Sequence, residues 1–178
     1  VTRVGVSHEG VLDWSAFEQS FTPNTVLVSI MFANNETGTI FPIQKIAHFA
    51  HEKGVPVHTD AVQGLGKMSL NLQKLEVDYA SFSAHKFHAL KGMGWLYAKK
   101  NSPFNSQITG GGQERHRRGG TENILAIRSV LETVPYFKQV GEMYPQILEL
   151  RQYFESQVRQ EIEGIMVTAE ASPRLPNT

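Results

Sequence analysis

HTDAVQGLGKMSLNLQKLEVDYASFSAHK, His58 to Lys86, holds two apolar strand patterns in succession, each closed by a reactive side chain. Val55 to His58 reads as one strand, with Asp60 just beyond it. Tyr79 to Ala84 reads as the next, ended by His85 and Lys86. Between them lie a glycine-bearing turn and a short helical segment around Leu72 to Leu75.

Working outward, Pro42 sits well as a first helical residue, Ile43, Ile46, Ala47 and Ala50 share one face, and Gly54 is a stop. Val26 to Ala33 (VLVSIMFA) is apolar almost throughout, as expected of a strand covered on both faces, and it runs into the polar loop that holds Asn34 and Asn35. Further upstream, Asp13 caps a helical DWSAFEQSF, and Val1 to Val6 is β-branched. Downstream, Met93 to Ala98 is another strand, closed by Asn101, Ser102 and Pro103. Strands separated by helical crossovers predict an α/β fold with a mainly parallel sheet and helices on its faces, in three layers. Ligands in such folds bind outside the carboxyl ends of the strands, where Asn35, Asp60 and Lys86 all fall.

The segment 105–120 is a glycine-rich loop of a length that is usually functional or disordered. Thr121 is then expected to open a helix, TENILAIRSVLETV, that Pro135 interrupts. A second helical stretch from about Glu142 to Glu163 carries Ile147, Leu150, Phe154, Val158 and Ile162 as a stripe that reads as core packing.

The 178 residues suffice for one sizeable core, and 40% apolar with 19% charged residues describes an ordinary globular chain. Seventeen basic and seventeen acidic residues balance, so there is no long-range attraction for nucleic acid or an anionic membrane. QERHRR, Gln113 to Arg118, is the one basic cluster, and it lacks the interleaved aromatics of a nucleic-acid surface. Contact with a neighbouring subunit is its competing reading. No cysteine occurs, which removes disulfides, thiolate metal sites and cysteine nucleophiles from these residues. Without a membrane-length apolar run or a signal-peptide series, the expected setting is cytoplasmic. The opening at Val1 and the ending PRLPNT read as those of an excised piece.

Three tempting motifs fail. GLGKMS, Gly64 to Ser69, has Ala61 where a phosphate loop needs glycine and Met68 where it needs a hydroxyl, and Ser69 stands where a dinucleotide loop needs its third glycine. His48 and His51 lack the metalloprotease spacing, and His85 and His88 lack a third ligand, so no metal is expected.

Asp60 alone reads as a turn cap, and Lys86 alone as an exposed lysine. Together, at two strand ends, they can meet one ligand, and pyridoxal phosphate requires such a pair. A lysine amine attaches the cofactor, and a carboxylate keeps the pyridine nitrogen protonated. Ser83 and His85 flank the lysine as phosphate donors, and Thr121, at a helix amino end, is a third.

MFANNETG, VHTDAVQ, SFSAHKFHALKGMG and GGGQERHRRGGTEN, in that order, resemble the cysteine desulfurases, with selenocysteine lyases close by, in the class V aminotransferase group of pyridoxal phosphate enzymes. The resemblance is strong from Thr25 to Thr121 and implies the central and later part of that group's large cofactor domain. It makes 1–140 part of that domain, and 141–178 a linking helix and the start of a small domain. By the same resemblance, Lys86 carries the cofactor and moves protons, Asp60 pairs with the pyridine nitrogen, and Gln63 and Asn35 bond the phenolic oxygen and the substrate side of the ring. Ser83 and His85 then hold the phosphate, and Thr121 reaches the phosphate of a second subunit in a homodimer.

The implied reaction converts L-cysteine (or L-selenocysteine) to L-alanine, with sulfur passing through a cysteine persulfide to an iron-sulfur scaffold or another acceptor protein. The departures are specific. The ring-stacking histidine and glycine-threonine phosphate loop are expected upstream of Val1, and the persulfide cysteine and carboxylate-binding arginine beyond Thr178. Ala89 and Leu90 replace a usual Gly-Pro pair. These 178 residues alone are therefore expected to be inactive. A selenocysteine lyase or another class V aminotransferase is the alternative enzyme, and a non-catalytic dimerisation or binding domain the alternative of another kind. Retention of Lys86, Asp60, Ser83, His85 and Gln63 together weighs against the latter.

Overall fold

The computed structural model describes residues 1–137 and 139–178. Four strands, β1 (Val28–Met31), β2 (Val57–Asp60), β3 (Tyr79–Ser83) and β4 (Gly94–Ala98), form one sheet in the order β1-β2-β3-β4. The first three are parallel, and β4 returns antiparallel beside β3. The register puts Met31, Asp60 and Ser81 side by side. The expected α/β fold with a mainly parallel sheet is what the chain adopts.

Helix α1 (Trp14–Gln19) starts where Asp13 accepts the Ala16 amide at 2.9 Å. Helix α2 (Ile43–Glu52) follows Pro42 and ends before Gly54, whose φ of +72° suits a residue without Cβ. Asn71 caps the single turn α3 (Leu72–Leu75) by accepting the Lys74 amide at 3.0 Å. The i, i+3, i+4, i+7 spacing of Ile43, Ile46, Ala47 and Ala50 gives α2 one wholly buried face. That face joins Val57, Ala80 and Phe82 of the sheet in the core. Trp14, Phe17, Phe21 and Phe49 lock α1 to α2 through ring pairs 5.2–5.8 Å apart.

The opposite face of the sheet is polar at its centre. His58 bridges Ser29 and Ser81, each hydroxyl 2.8 Å from a ring nitrogen. Strand β1 accordingly alternates half-buried and exposed residues, with Met31 39% exposed, and is not covered on both faces as its composition suggested. It is an edge strand, and its polar Ser29 serves the histidine bridge. Val1 to Val6 forms no strand, only a bridge between Val6 and Leu12.

The later helices depart further from expectation. Within 105–120 a single turn, α4 (Gln113–His116), carries Glu114 and Arg115 with left-handed backbone angles. Helix α5 (Ile124–Phe137) begins three residues after Thr121, because Asn123 accepts the Ala126 amide at 3.1 Å and so takes the cap. Pro135 lies inside α5 and does not interrupt it. It falls in the last turn, where its missing amide costs one hydrogen bond and the helix ends two residues later. Helix α6 (Val140–Glu161) and its C-cap Ile162 carry the predicted stripe, but Leu150, Phe154 and Ile162 are 68%, 67% and 53% exposed. They are not core, because no described element packs over them.

Candidate active site

Asn35, Asp60, Ser83, His85 and Lys86 collect at the carboxyl ends of β1, β2 and β3. Neighbouring strands lie about 4.8 Å apart, so the ends of β2 and β3 bring the acid and the lysine to one edge of the sheet. Asp60 Oδ1 accepts the Val62 amide at 3.0 Å, which orients the carboxylate as the chain turns away. Asp60 is exposed, and its Oδ2 takes no hydrogen bond among the described residues.

Beyond β3 the chain tightens into a 3₁₀ turn, Ala84–Phe87. Three residues per turn place Ala84 and Phe87 on the same side, and both are buried while His85 and Lys86 are exposed. Phe87 anchors the turn against Trp95 and Phe137, at ring distances of 5.7 and 5.2 Å. Ser83 Oγ lies 3.0 Å from His85 Nδ1. With Nδ1 engaged, Nε2 is the imidazole nitrogen left for a ligand.

The turn after β2 completes the group. Gly66 has a φ of +78°, and a Cβ there would meet Phe87 Cβ at 2.7 Å. A glycine at this point therefore allows the Gln63–Lys67 turn to approach the Lys86 turn. That is the physical role of the failed GLGK motif. Gln63 is only 8% exposed, and its Oε1 accepts a hydrogen bond from Lys67 Nζ. Burial, and next the positive charge of Lys86, push Lys67 below its ordinary value of 10.5. His58 also lies below its ordinary 6.5, by burial that the nearby Asp60 carboxylate only partly offsets.

Sequence reasoning missed Lys67 and His58. Lys67 was visible only as part of a rejected phosphate loop, and His58 lies within a strand, where its two serine partners are 29 and 23 residues away. Asn35 follows Asn34, whose Oδ1 accepts the Glu36 and Thr37 amides at 2.8 and 3.0 Å and shapes the loop. Thr121 is not tied to this group by any hydrogen bond among the described residues and stands exposed before α5. Helix α5 does reach the lysine turn, where the Leu90 amide donates to Ser129 Oγ at 3.1 Å. A proline at 90 would have no amide to give. Among the described residues no three His, Asp or Glu side chains are placed to share a metal ion.

The family pattern described as Aminotransferase class-V matches residues 1–177. The chain belongs to this family. Among curated relatives, a cysteine desulfurase of Gluconacetobacter diazotrophicus is 42% identical across 100% of this class-V chain, which covers 45% of that protein. A solved structure titled NifS-like protein is 39% identical, superposes with a TM-score of 0.91, and shares 99% of this chain and 48% of its own. A second, titled SspA in complex with cysteine, is 33% identical with a TM-score of 0.75, over 88% of this chain and 45% of that one. The chain thus spans about half the length of the proteins it matches or less. No helix among the described residues is long and apolar enough to cross a membrane.

Proposed function

We propose that these residues are the cofactor-binding part of a pyridoxal phosphate dependent cysteine desulfurase, which converts L-cysteine to L-alanine and passes the sulfur to an acceptor protein. The observation that carries this reading is the placement of Asp60 and Lys86 at adjacent parallel strand ends, with the Ser83–His85 pair between them in sequence. The donor set fits the cofactor. It offers an amine for the aldehyde, an acid for the pyridine nitrogen, and a hydroxyl with an imidazole N–H for a phosphate. When bound, the cofactor supplies an electron sink for the substrate's α-carbon.

Each side chain then has a task at a stated atom. Asp60, with Oδ1 fixed by the Val62 amide, presents Oδ2 to the pyridinium N–H and holds that proton in place. Ser83 and His85 direct one O–H or N–H each at the phosphate, and their mutual contact fixes the imidazole. Lys86 Nζ holds the cofactor and carries the proton to and from the α-carbon. Gln63 and Asn35 donate their amide N–H groups to the ring's phenolic oxygen and to the substrate side. Thr121, exposed on its loop, is assigned to the phosphate of a second copy in a homodimer. The thiol that takes the sulfur is not among these residues, since none is cysteine. It acts from another part of the protein, and acceptor proteins such as iron-sulfur scaffolds meet that part.

The test is borohydride reduction of the protein mixed with pyridoxal phosphate, followed by peptide mapping. The expected result is a visible absorption band and a reduced pyridoxyl adduct on Lys86, both lost in Lys86→Ala. Labelling at another lysine, or an unchanged band in Lys86→Ala, overturns the assignment.

A further inference from the structure

We propose that Lys67 is a positioning residue for the cofactor ring, because its ammonium fixes which way round the Gln63 carboxamide lies. This rests on the cofactor reading above and extends it to a residue outside the set that meets the cofactor.

The argument is one of donors and acceptors. An ammonium can only donate hydrogen bonds, so the Gln63 atom that meets Lys67 Nζ must be the carbonyl oxygen. The NH₂ end is thereby turned away from Lys67 and kept available as a donor. Without that partner, a glutamine can present either end, and a phenolate oxygen accepts only from the NH₂ end. Gln63 is buried at 8% exposure, so the enclosure that orders its side chain also makes a wrong orientation costly, with a carbonyl facing an oxygen anion.

Lys67 is well placed for this task and for little else. The one hydrogen bond of its side chain among the described residues goes to Gln63, and it forms no ion pair among them. It stands in the turn where a Cβ added at Gly66 would meet the Phe87 Cβ at 2.7 Å, and Phe87 is one residue from Lys86. Keeping a half-buried cation near a second lysine, with burial and that neighbour both acting against its charge, is unfavourable for the fold alone. The Gln63 contact gives the charge a use.

The experiment follows the pH at which the visible band of the lysine-bound cofactor changes form, in the cofactor-loaded protein. A donor to the ring oxygen favours the deprotonated chromophore, so its loss raises that midpoint. Lys67→Met is expected to raise the midpoint by about one pH unit, the size of one hydrogen bond to a charged acceptor. Gln63→Ala should give a similar rise, and the double variant should rise no further than either alone. Lys67→Arg, which also only donates, should return the midpoint to within about 0.3 of the parent, under a third of that shift. Lys67→Ala serves as a second neutral variant if Lys67→Met does not fold, and melting temperatures are recorded for all. An unchanged midpoint in the folded neutral variants, or additive shifts in the double variant, overturns the proposal. Borohydride labelling of Lys86 in the same samples keeps the two readings apart. Absent labelling in the parent defeats the cofactor reading, whereas labelling with an unmoved midpoint defeats only the role of Lys67.

Discussion

His58 shows how one side chain can tie three strands and a site together. Its ring spans Ser29 and Ser81 just beneath Asp60, with a serine hydroxyl 2.8 Å from each ring nitrogen that can donate or accept as the imidazole requires. Burial holds its pKa below the ordinary 6.5, so the folded protein keeps it neutral where the unfolded chain would begin to take a proton. The sign follows from linkage: the stability is complete above about 6.5 and falls as pH drops below it toward the lower folded value. Thermal melts at pH 8 and at steps below 6.5 should therefore show a larger loss in the parent than in His58→Asn, which has nothing to titrate. Equal pH slopes in the two proteins would sink this account. Asp60 and Lys86 were legible in the sequence because each directly follows an apolar run, a local signal. His58 and Lys67 were not, because their roles depend on partners that only the strand register and the Gly66 turn bring to them.

At the scale of elements, the site depends on the β3–β4 pairing more than composition suggests. Gly94 lies opposite Ser83, and a Cβ there would meet the Phe82 carbonyl oxygen at 2.6 Å. Backbone cannot yield as a flexible side chain does, so the strands must separate locally. Gly94→Ala is expected to cost about 1–3 kcal/mol by overpacking and to weaken retention of pyridoxal phosphate, since the displaced residue opposite, Ser83, is the one proposed to meet its phosphate. Denaturant unfolding and a cofactor titration would measure the two effects. Wild-type stability in the variant would remove the steric argument. The elements around this pairing were readable, with β2, β3, β4 and the first three helices falling close to their predicted places. Their signals are periodicity, caps and glycine stops, all local. The readings that failed are those in which burial had to be inferred. Val26 to Ala33 is apolar enough for a covered strand, yet it forms an edge, and Thr121 looks like a helix start until Asn123 is seen to hold the Ala126 amide.

For the whole molecule, the accessible surface is 12071 Å², against about 8,700 Å² expected of a compact monomer of this mass. Exposed apolar side chains on α5 and α6, Leu125, Leu131, Met143, Leu150 and Phe154 among them, contribute to that excess. Hence the stripe Leu150, Phe154 and Ile162 could be found from sequence but not placed, because periodicity gives a face and says nothing of what meets it. What does hold α6 to the sheet domain is ionic. Glu155 receives Arg174 Nη2 at 2.9 and 3.1 Å, with Arg151 Nε 3.5 Å away. Arg151 in turn donates to the Leu175 and Thr178 carbonyls. The segment so held runs antiparallel to the residues just after the Asn35 loop, through Ile40 N to Pro173 O and Leu175 N to Gly38 O, each 2.8 Å. One carboxylate thus serves two guanidiniums, and the Arg174 side chain is only 6% exposed. Removing that carboxylate leaves a buried cation without its partner, a change that costs about 3–5 kcal/mol where measured. Glu155→Ala should lower the melting temperature and speed amide exchange at Ile40 and Leu175 while leaving Val57 and Ala80 in the sheet protected. Uniform loss of protection across the sheet would mean instead that the ion cluster is part of the global core, and unchanged exchange at Ile40 would mean that backbone pairing alone holds the segment.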